Sequence, residues 1–144
     1  MRVLVLHGPN LNLLGSREPE VYGSLTLAEI DGIIAGAAKE MQIAVRCEQH
    51  NDEGRIIDAL HAARTEQDGA IVNAGAYSHY SYAIADAIRA IGIPVVEVHI
   101  SNIAAREEFR RVSVTAAACR GSISGLGAYG YVLALRALAE ILKK

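Results

Sequence analysis

The segment Arg2–Asn10, with the sequence RVLVLHGPN, decides the fold of this chain. Its first six residues are mostly apolar and form a run of strand length, so they predict a short β-strand. Gly8, Pro9 and Asn10 are turn residues that end such a strand. We therefore expect the chain to open with a strand whose carboxyl end carries His7 and Asn10.

Beyond this strand, short apolar runs alternate with segments of helical period. Thr26-Leu27-Ala28-Glu29 has the form of a capping box, and apolar residues then recur at helical spacing as far as Met41. The order β-α-β-α predicts a parallel sheet that right-handed crossovers cover on both faces. Strands are expected near 43–47, 70–73, 94–100 and, weakly, 121–124, and helices near 54–64, 78–90 and 128–143, with a short helical turn near 104–109.

Polar residues stand where three of these strands end. The first strand leads into His7 and Asn10, the third into Asn73-Ala74-Gly75-Ala76, and the fourth into His99-Ile100-Ser101-Asn102. Ligands of parallel α/β sheets bind outside the carboxyl ends of the strands. Amides, an imidazole, a hydroxyl and glycine-opened backbone at one edge suit a small, oxygen-rich ligand.

Composition limits the classes of function. The 144 residues are 51% hydrophobic and 21% charged, which suits one domain with an ordinary core. Eleven of the 14 basic residues are Arg, and the only lysines are Lys39, Lys143 and Lys144. A Schiff-base mechanism therefore has few candidate amines. The net charge of −2 and pI near 6.2 argue against nucleic acid or an anionic membrane as a partner.

Location and assembly have weaker signals. No apolar run approaches the roughly 18 residues of a membrane span, and no signal-peptide pattern is found, so we expect a cytoplasmic protein. Cys47 and Cys119 lack metal-site or redox spacing and are expected to be reduced thiols. The mean hydropathy of +0.21 hints at apolar surface buried between subunits.

Three motifs suggest other functions and fail on context. Gly125–Gly130 matches G-x-G-x-x-G, but it follows the last strand, and the chain ends before the acidic residue that a dinucleotide site needs. A tight turn between strand and helix is the better interpretation. Gly8–Gly15 lacks the spacing and the lysine of a phosphate loop. None of the five histidines is spaced as a metal-binding pair, so no metal is expected.

The segment Leu14–Ser24 is a long connection between the first strand and the first helix. Such connections usually take about two to six residues, so this one is interpreted as an active-site lid that carries Arg17 and Tyr22. The alternative is a solvated insertion in which Tyr22 packs on its own loop.

Motifs along nearly the whole chain closely resemble the type II 3-dehydroquinate dehydratases. They are His7–Gly15, Arg17-Glu18-Pro19 with Tyr22-Gly23, Asn51–Gly54, Asn73–Ala76, Glu97–Asn102, Arg106–Arg110 and Gly125-Leu126-Gly127. The resemblance implies a single domain over 1–144, a flavodoxin-like three-layer sandwich with a five-stranded parallel sheet, and a homododecamer built from trimers. It also implies dehydration of 3-dehydroquinate to 3-dehydroshikimate with no cofactor.

The resemblance also assigns roles to residues. The family's base corresponds to Tyr22, its essential lid arginine to Arg17, its acid to His99 and its water-holding asparagine to Asn10. The family's reaction is an anti elimination through an enolate, without an imine. Its substrate contacts correspond to Asn73, Gly75, His79, Asp86, Ile100, Ser101 and Arg110.

Physical chemistry is consistent with these roles. Free tyrosine has a pKa near 10, so a tyrosine base at neutral pH needs a permanent positive charge beside it. Arg17, helped by Arg106, would be that charge, because a guanidinium keeps its proton. The period of two places Glu97 and His99 on one face of the fourth strand, where the carboxylate can orient the imidazole. Ser101, the N–H groups of Ile100 and Ser101, and Asn73 would receive the substrate carboxylate.

Some points stay open at this level. Tyr80, Tyr82 and Ala85 depart from residues that are common in the family, and they bring the details of the trimer contact into question. Both the shikimate pathway of aromatic biosynthesis and quinate catabolism use this scaffold. The rival class is a flavodoxin-like module that binds a nucleotide or sugar acid in the same pocket without catalysis.

Overall fold

Five strands form one parallel sheet in the computed structural model, which describes residues 1–143. The strands are β1 Arg2–His7, β2 Ala44–Gln49, β3 Gly69–Asn73, β4 Val95–His99 and β5 Gly121–Ser124. Their spatial order is β2-β1-β3-β4-β5, and every neighbouring pair is parallel. This is the strand order of flavodoxin-like folds, so the fold prediction is confirmed.

Helices cover both faces of the sheet and complete three layers. They are α1 Pro19–Tyr22, α2 Leu27–Glu40, α3 Glu53–Glu66, α4 Tyr82–Ile91 and α5 Tyr129–Leu142. Val3 and Val5 of β1 belong to the core cluster that contains residues of α2 and α5, whereas Leu4 and Leu6 belong to the cluster with α3 and α4. The strand is buried on both faces, which is why its apolar run is continuous.

The predicted capping box starts α2. The Glu29 backbone N–H donates to Thr26 Oγ1 at 3.2 Å, and the Thr26 backbone N–H donates to Glu29 Oε2 at 2.7 Å. These bonds satisfy two groups that a helix terminus otherwise leaves open, which contributes about 1 kcal/mol. The end of the long connection before α2 is thereby held in one place.

The third helix starts later than predicted. The range 78–90 was wrong at its start, because a 3-10 helix spans Gly75–His79 and α4 begins only at Tyr82. Ser81 is the N-cap, with its hydroxyl accepting from the Ile84 backbone N–H at 3.1 Å. His79 consequently lies in the turn that follows β3, close to the carboxyl end of the sheet, and does not open the helix.

Two other connections are more ordered than the sequence indicated. The long connection 14–24 contains one helical turn, α1, that ends at Tyr22. The helical turn expected near 104–109 is split into two 3-10 turns, Ile103–Ala105 and Glu108–Arg110. The helical turn α1 carries Tyr22 and the second 3-10 turn carries Arg110, and both are residues of the predicted site.

The glycine-rich segment between β5 and α5 is a tight turn, as interpreted. Gly125 has φ +86°, and a Cβ atom there would lie 2.9 Å from Asn102 Cβ. A Cβ at Gly130 would lie 3.3 Å from Val98 Cγ1, so this glycine lets α5 approach the sheet closely. Among residues 1–143, no helix is long and apolar enough to cross a bilayer.

Candidate active site

A cleft opens at the carboxyl ends of β1, β3 and β4, where the sequence predicted one. The space in it, part of which is open to solvent, is about 500 Å³. Ten predicted residues line it: Asn10, Arg17, Tyr22, Asn73, Gly75, His79, His99, Ile100, Ser101 and Arg110. The lining also includes Arg106, which the sequence named only as a helper.

His99 is held at the last position of β4 by a buried carboxylate. Its Nε2 lies 2.7 Å from Glu97 Oε2, and both side chains are almost completely buried. The period of two along the strand produces this contact directly, so the predicted pairing of Glu97 with His99 is confirmed. The bond fixes the plane of the imidazole and leaves Nδ1 as its other polar atom.

Two hydroxyl groups complete the surroundings of Glu97. Ser113 Oγ donates to Glu97 Oε2 at 2.7 Å, and Thr115 Oγ1 donates to Glu97 Oε1. Burial alone raises the pKa of the Glu97 carboxyl, but the bonds from His99, Thr115 and Ser113 and the charge of His99 outweigh it and lower the pKa below its ordinary value. An ionised carboxylate therefore lies beside the imidazole of His99.

His79 faces His99 across the same side of the cleft. The two rings are stacked with centroids 6.2 Å apart. His79 Nδ1 lies 2.8 Å from the Val112 carbonyl oxygen, which can only accept, so Nδ1 carries a proton. Burial lowers the pKa of His79, and the nearby charges of His99 and Arg110 lower it further, against the opposing hydrogen bond to Val112. The neutral ring then offers Nε2 as an acceptor for a ligand hydroxyl.

Arg110 belongs to the same wall. Its Nε donates to Glu107 Oε2 at 2.5 Å, and its guanidinium lies over the Phe109 ring, 4.7 Å from the centroid. The Arg110 side chain is mostly buried, at 18% exposure. This salt bridge coexists with a place in the cleft, and the terminal N–H groups of Arg110 have no hydrogen-bond partner among residues 1–143.

Tyr22 lies at the end of α1 and also lines the cleft. Arg106 donates from NH1 to the Tyr22 hydroxyl at 2.7 Å, and its Cζ lies 5.1 Å from the ring centroid. Arg17 lies over the ring, with its Cζ 4.9 Å from the centroid. Two guanidinium groups, whose positive charges are permanent, therefore flank one phenol.

The direct partner of the phenol differs from the prediction. The sequence favoured Arg17 because it is five residues from Tyr22, yet Arg106 makes the hydrogen bond across 84 positions of the chain. Arg106 also contacts Ser101 Oγ at 3.4 Å and Glu18 Oε2 at 3.9 Å. It therefore links the lid segment, the end of β4 and the candidate base.

The floor of the cleft consists of backbone and amide groups. Among residues 1–143, the backbone N–H groups of Ile100 and Ser101 have no backbone acceptor outside the sheet ladder. Asn73 is buried, and its Oδ1 accepts from the Gly75 backbone N–H at 3.2 Å. Asn10 has φ 67°, a left-handed conformation that asparagine tolerates, and its own N–H donates to Asn51 Oδ1 at 3.0 Å. The backbone N–H groups of Ile100 and Ser101 thus remain available to a ligand of the cleft, and such donors suit an anion.

Asp86 is not among the residues of this cleft. Its side chain on α4 is 79% exposed and is paired with Arg89 at 3.2 Å. Tyr80 and Tyr82, which begin the same stretch, are 60% and 71% exposed. This part of the surface carries large aromatic side chains without a covering element among the described residues.

Several site residues had no signal in the sequence. Ser113 and Thr115 contact Glu97 across 16 and 18 positions, and nothing local marks them as its partners.

His7, Asp31 and Cys47 place three possible metal donors within 4.8 Å of one another, although histidine spacing had suggested no such group. Their donors come from a strand end, a helix and a second strand, so linear spacing could not show them. These groups also bond to one another, with His7 Nε2 2.9 Å from Asp31 Oδ1.

The fold and cleft define an α/β protein with a candidate acid and a candidate base in one pocket at the carboxyl ends of the strands. The family model described as dehydroquinase class II matches residues 1–139. The chain therefore belongs to the class II dehydroquinase family, and it is an enzyme.

Solved structures and curated sequences agree with this assignment. The chain is 55% identical to a 3-dehydroquinate dehydratase of Pelotomaculum thermopropionicum over 98% of each chain. It superimposes on a type II dehydroquinase from Butyrivibrio crossotus with a TM-score of 0.95, at 46% identity, covering 96% of this chain and 97% of that one. A type II dehydroquinase from Propionibacterium acnes gives a TM-score of 0.91 at 42% identity, with 99% and 97% coverage.

Proposed function

We propose that this enzyme dehydrates 3-dehydroquinate to 3-dehydroshikimate by an anti elimination through an enolate, without an imine, a metal or a cofactor. The observation that carries the proposal is that two groups with different charged partners line one cleft. Tyr22 is flanked by the guanidinium groups of Arg17 and Arg106, and His99 is bonded to Glu97. One wall suits loss of a proton and the other suits donation of one.

In the first step, the Tyr22 phenolate takes a proton from C2 of the substrate. The C–H electron pair moves into the adjacent carbonyl and forms an enolate. Arg106 and Arg17 favour the phenolate before the step, because their positive charges do not depend on pH in the working range. Asn10 holds a water molecule near the enolate oxygen, a role that rests on the family resemblance.

In the second step, the enolate collapses and the C1 hydroxyl leaves as water. His99 supplies the proton, with Glu97 stabilising the imidazolium form beforehand. Tyr22 has then gained one proton and His99 has lost one, so exchange with solvent restores both groups. The ionised Glu97 keeps its bonds to Ser113 and Thr115 throughout.

Substrate orientation falls to the remaining residues of the cleft. Ser101, the N–H groups of Ile100 and Ser101, and Asn73 receive the carboxylate, while Gly75 leaves room for the ring to approach. Gly75 has φ +59°, and a Cβ there would lie 3.1 Å from the Pro9 carbonyl oxygen, which favours glycine. Arg110 and the Nε2 atom of His79 hold ring hydroxyls. This set favours a small polyhydroxylated acid.

The assembly we propose is a dodecamer of four trimers, in which Asp86 reaches the site of a neighbouring subunit. The exposure of Tyr80 and Tyr82 near it supports a contact surface at this place, since monomers rarely expose such aromatic clusters. We further propose one domain over residues 1–144 and a cytoplasmic location. The two free cysteines support this location, because the cytoplasm keeps thiols reduced. Nucleic acid and membranes are not proposed as partners. The proposed reaction serves the shikimate pathway or quinate catabolism.

An absorbance assay tests the reaction. Purified protein is mixed with 3-dehydroquinate, and the conjugated enone of the product is followed against an active dehydratase as control. We expect a rise in absorbance at a rate proportional to protein concentration. A flat trace would favour the rival class, a flavodoxin-like module that binds a nucleotide or sugar acid without catalysis.

Borohydride separates the enolate from an imine route. Lys39 lies on the exposed surface of α2, and Lys143 is paired with Glu140 at 2.6 Å near the chain terminus. We expect borohydride with substrate to leave the protein mass unchanged. A covalent adduct on any lysine would contradict the proposed mechanism.

A further inference from the structure

A buried chain of hydrogen bonds leads from the surface of α2 to Asn73 in the cleft. Asp31 Oδ1 lies 2.9 Å from His7 Nε2, and His7 Nδ1 lies 3.1 Å from the Tyr131 hydroxyl. Asn73 Nδ2 lies 3.0 Å from the same hydroxyl. His7, Tyr131 and Asn73 are 0%, 0% and 4% exposed, so water does not compete for these bonds.

Strand pairing brings the middle of this chain together. His7 of β1 and Asn73 of β3 are register partners in the parallel sheet, so their side chains point to the same face. That face is covered by α2 and α5, which contribute Asp31 and Tyr131. The rings of His7 and Tyr131 meet edge to face with centroids 5.3 Å apart.

The partners determine which end of the Asn73 amide faces the cleft. Gly75 offers an N–H, which can only donate, so the amide atom facing it is the oxygen. The nitrogen therefore faces Tyr131, and one of its two N–H groups donates to the hydroxyl. The second N–H of this nitrogen remains for a ligand, so Asn73 presents a donor from this end of its amide.

The donor and the acceptor of each remaining bond follow from the same reasoning. The Tyr131 hydroxyl accepts from Asn73, and its own proton goes to His7 Nδ1. His7 Nε2 then carries a proton that it donates to Asp31. With the opposite tautomer, the Tyr131 proton would be buried without an acceptor, which is unfavourable. Burial also raises the pKa of Tyr131, so the phenol remains a donor.

We propose that Tyr131, His7 and Asp31 are positioning residues that hold the Asn73 amide with its nitrogen toward the ligand carboxylate. The identification of the ligand group as a carboxylate rests on the proposed function. Without the Tyr131 hydroxyl, the amide loses the bond that holds its nitrogen end and can rotate. The cleft would then present the amide oxygen to an anion in part of the molecules.

Replacement of Tyr131 by Phe tests this role, because it removes one oxygen and keeps the ring. We expect the KM for 3-dehydroquinate to rise about tenfold, the effect of about one hydrogen bond, with kcat changed less than twofold. Tyr129→Phe removes a hydroxyl from an exposed site on the same helix and serves as the matched control, with unchanged KM. An unchanged KM in Tyr131→Phe would overturn the proposal.

A double-mutant cycle separates positioning from general damage to the core. If Tyr131 acts through Asn73, Tyr131→Phe changes nothing further in an Asn73→Ala background. Independent, additive effects would contradict the proposal. Asp31→Ala, at the partly exposed end of the chain, is a second variant less prone to misfolding, and we expect a KM increase of about two- to threefold there.

A spectroscopic readout does not depend on turnover. In ¹⁵N-labelled protein, the Asn73 side-chain amide signals are identified by their loss in Asn73→Ala. We expect their hydrogen exchange to accelerate at least about tenfold in Tyr131→Phe and not in Tyr129→Phe. If the wild type binds no substrate but exchange is faster in Tyr131→Phe than in Tyr129→Phe, the proposed function fails and the positioning role stands. Equal exchange in both variants would refute the positioning role.

Discussion

The two walls of the cleft are built in opposite ways. His99 is on a central strand, and its partner Glu97 is completely buried and bonded by three side chains. Tyr22 ends a single helical turn in a long connection, is partly exposed, and depends on arginines from two segments. The strand wall owes its geometry to the sheet, whereas the lid wall owes its geometry to a few side-chain contacts.

This difference separates stability from catalysis. Breaking the bonds of the strand wall leaves buried polar groups unpaired, so it affects folding as well as turnover. Changes in the lid wall leave the core intact, because short surface segments contribute little to global stability. Substitutions on the two sides should therefore have different ratios of lost activity to lost stability.

Tyr22→Phe is expected to have the largest effect on turnover. It removes the proposed base, so kcat should fall by at least about 10³-fold, within the usual range for a general base. The melting temperature and the affinity for a carboxylate ligand should be nearly unchanged, as measured by calorimetry. Tyr129→Phe is the control, and near-normal activity in Tyr22→Phe would refute the base assignment.

Glu97→Gln should lower both activity and stability. The neutral amide no longer places a negative charge beside His99, so we expect kcat to fall about 10²-fold. The free energy of unfolding should drop by about 2–3 kcal/mol, because the amide nitrogen faces donors in a buried site. Glu48→Gln, on the edge strand β2, is a control with a partly exposed carboxylate. A loss of activity without any loss of stability would contradict the contrast between the walls.

Arg106→Lys should act on the lid wall alone. A lysine cannot maintain the bond to the Tyr22 hydroxyl together with the contacts to Ser101 and Glu18, so we expect kcat/KM to fall about 10- to 30-fold. Arg136→Lys, at an exposed position of α5, is the matched control and should leave kcat/KM unchanged. Equal rates in the two variants would show that Arg106 is dispensable.

Thr115→Val should have the smallest catalytic effect and a clear pH signature. Removing one bond to Glu97 should lower kcat only a few-fold and the free energy of unfolding by about 1 kcal/mol near neutral pH. Since the folded pKa of Glu97 is lowered, its contribution to stability is present above its unfolded pKa and is lost as pH falls through the folded pKa. The variant should lose stability at a higher pH than the wild type in acid titrations. Exposed Thr65→Val is the matched control, and identical acid profiles in all three proteins would argue against this role.

Much of the site followed from short-range rules. The alternation of strands and helices predicted the parallel sheet, and the ends of β1, β3 and β4 carried His7, Asn73 and His99 as expected. The period of two placed Glu97 beside His99. The motifs at Tyr22, Arg17 and Arg110 were correctly expected at the cleft.

The sequence by itself determined the layer order and the edge of the sheet where chemistry occurs, because both depend on local periodicity and on the rule that parallel strands share a carboxyl edge. Only the tertiary structure decided that Arg106 bonds to Tyr22, that Thr115 bonds to Glu97 and that Tyr131 holds Asn73. These contacts join residues 84, 18 and 58 positions apart. No local periodicity encodes such pairs, since they arise only when packed elements bring their side chains within hydrogen-bond distance.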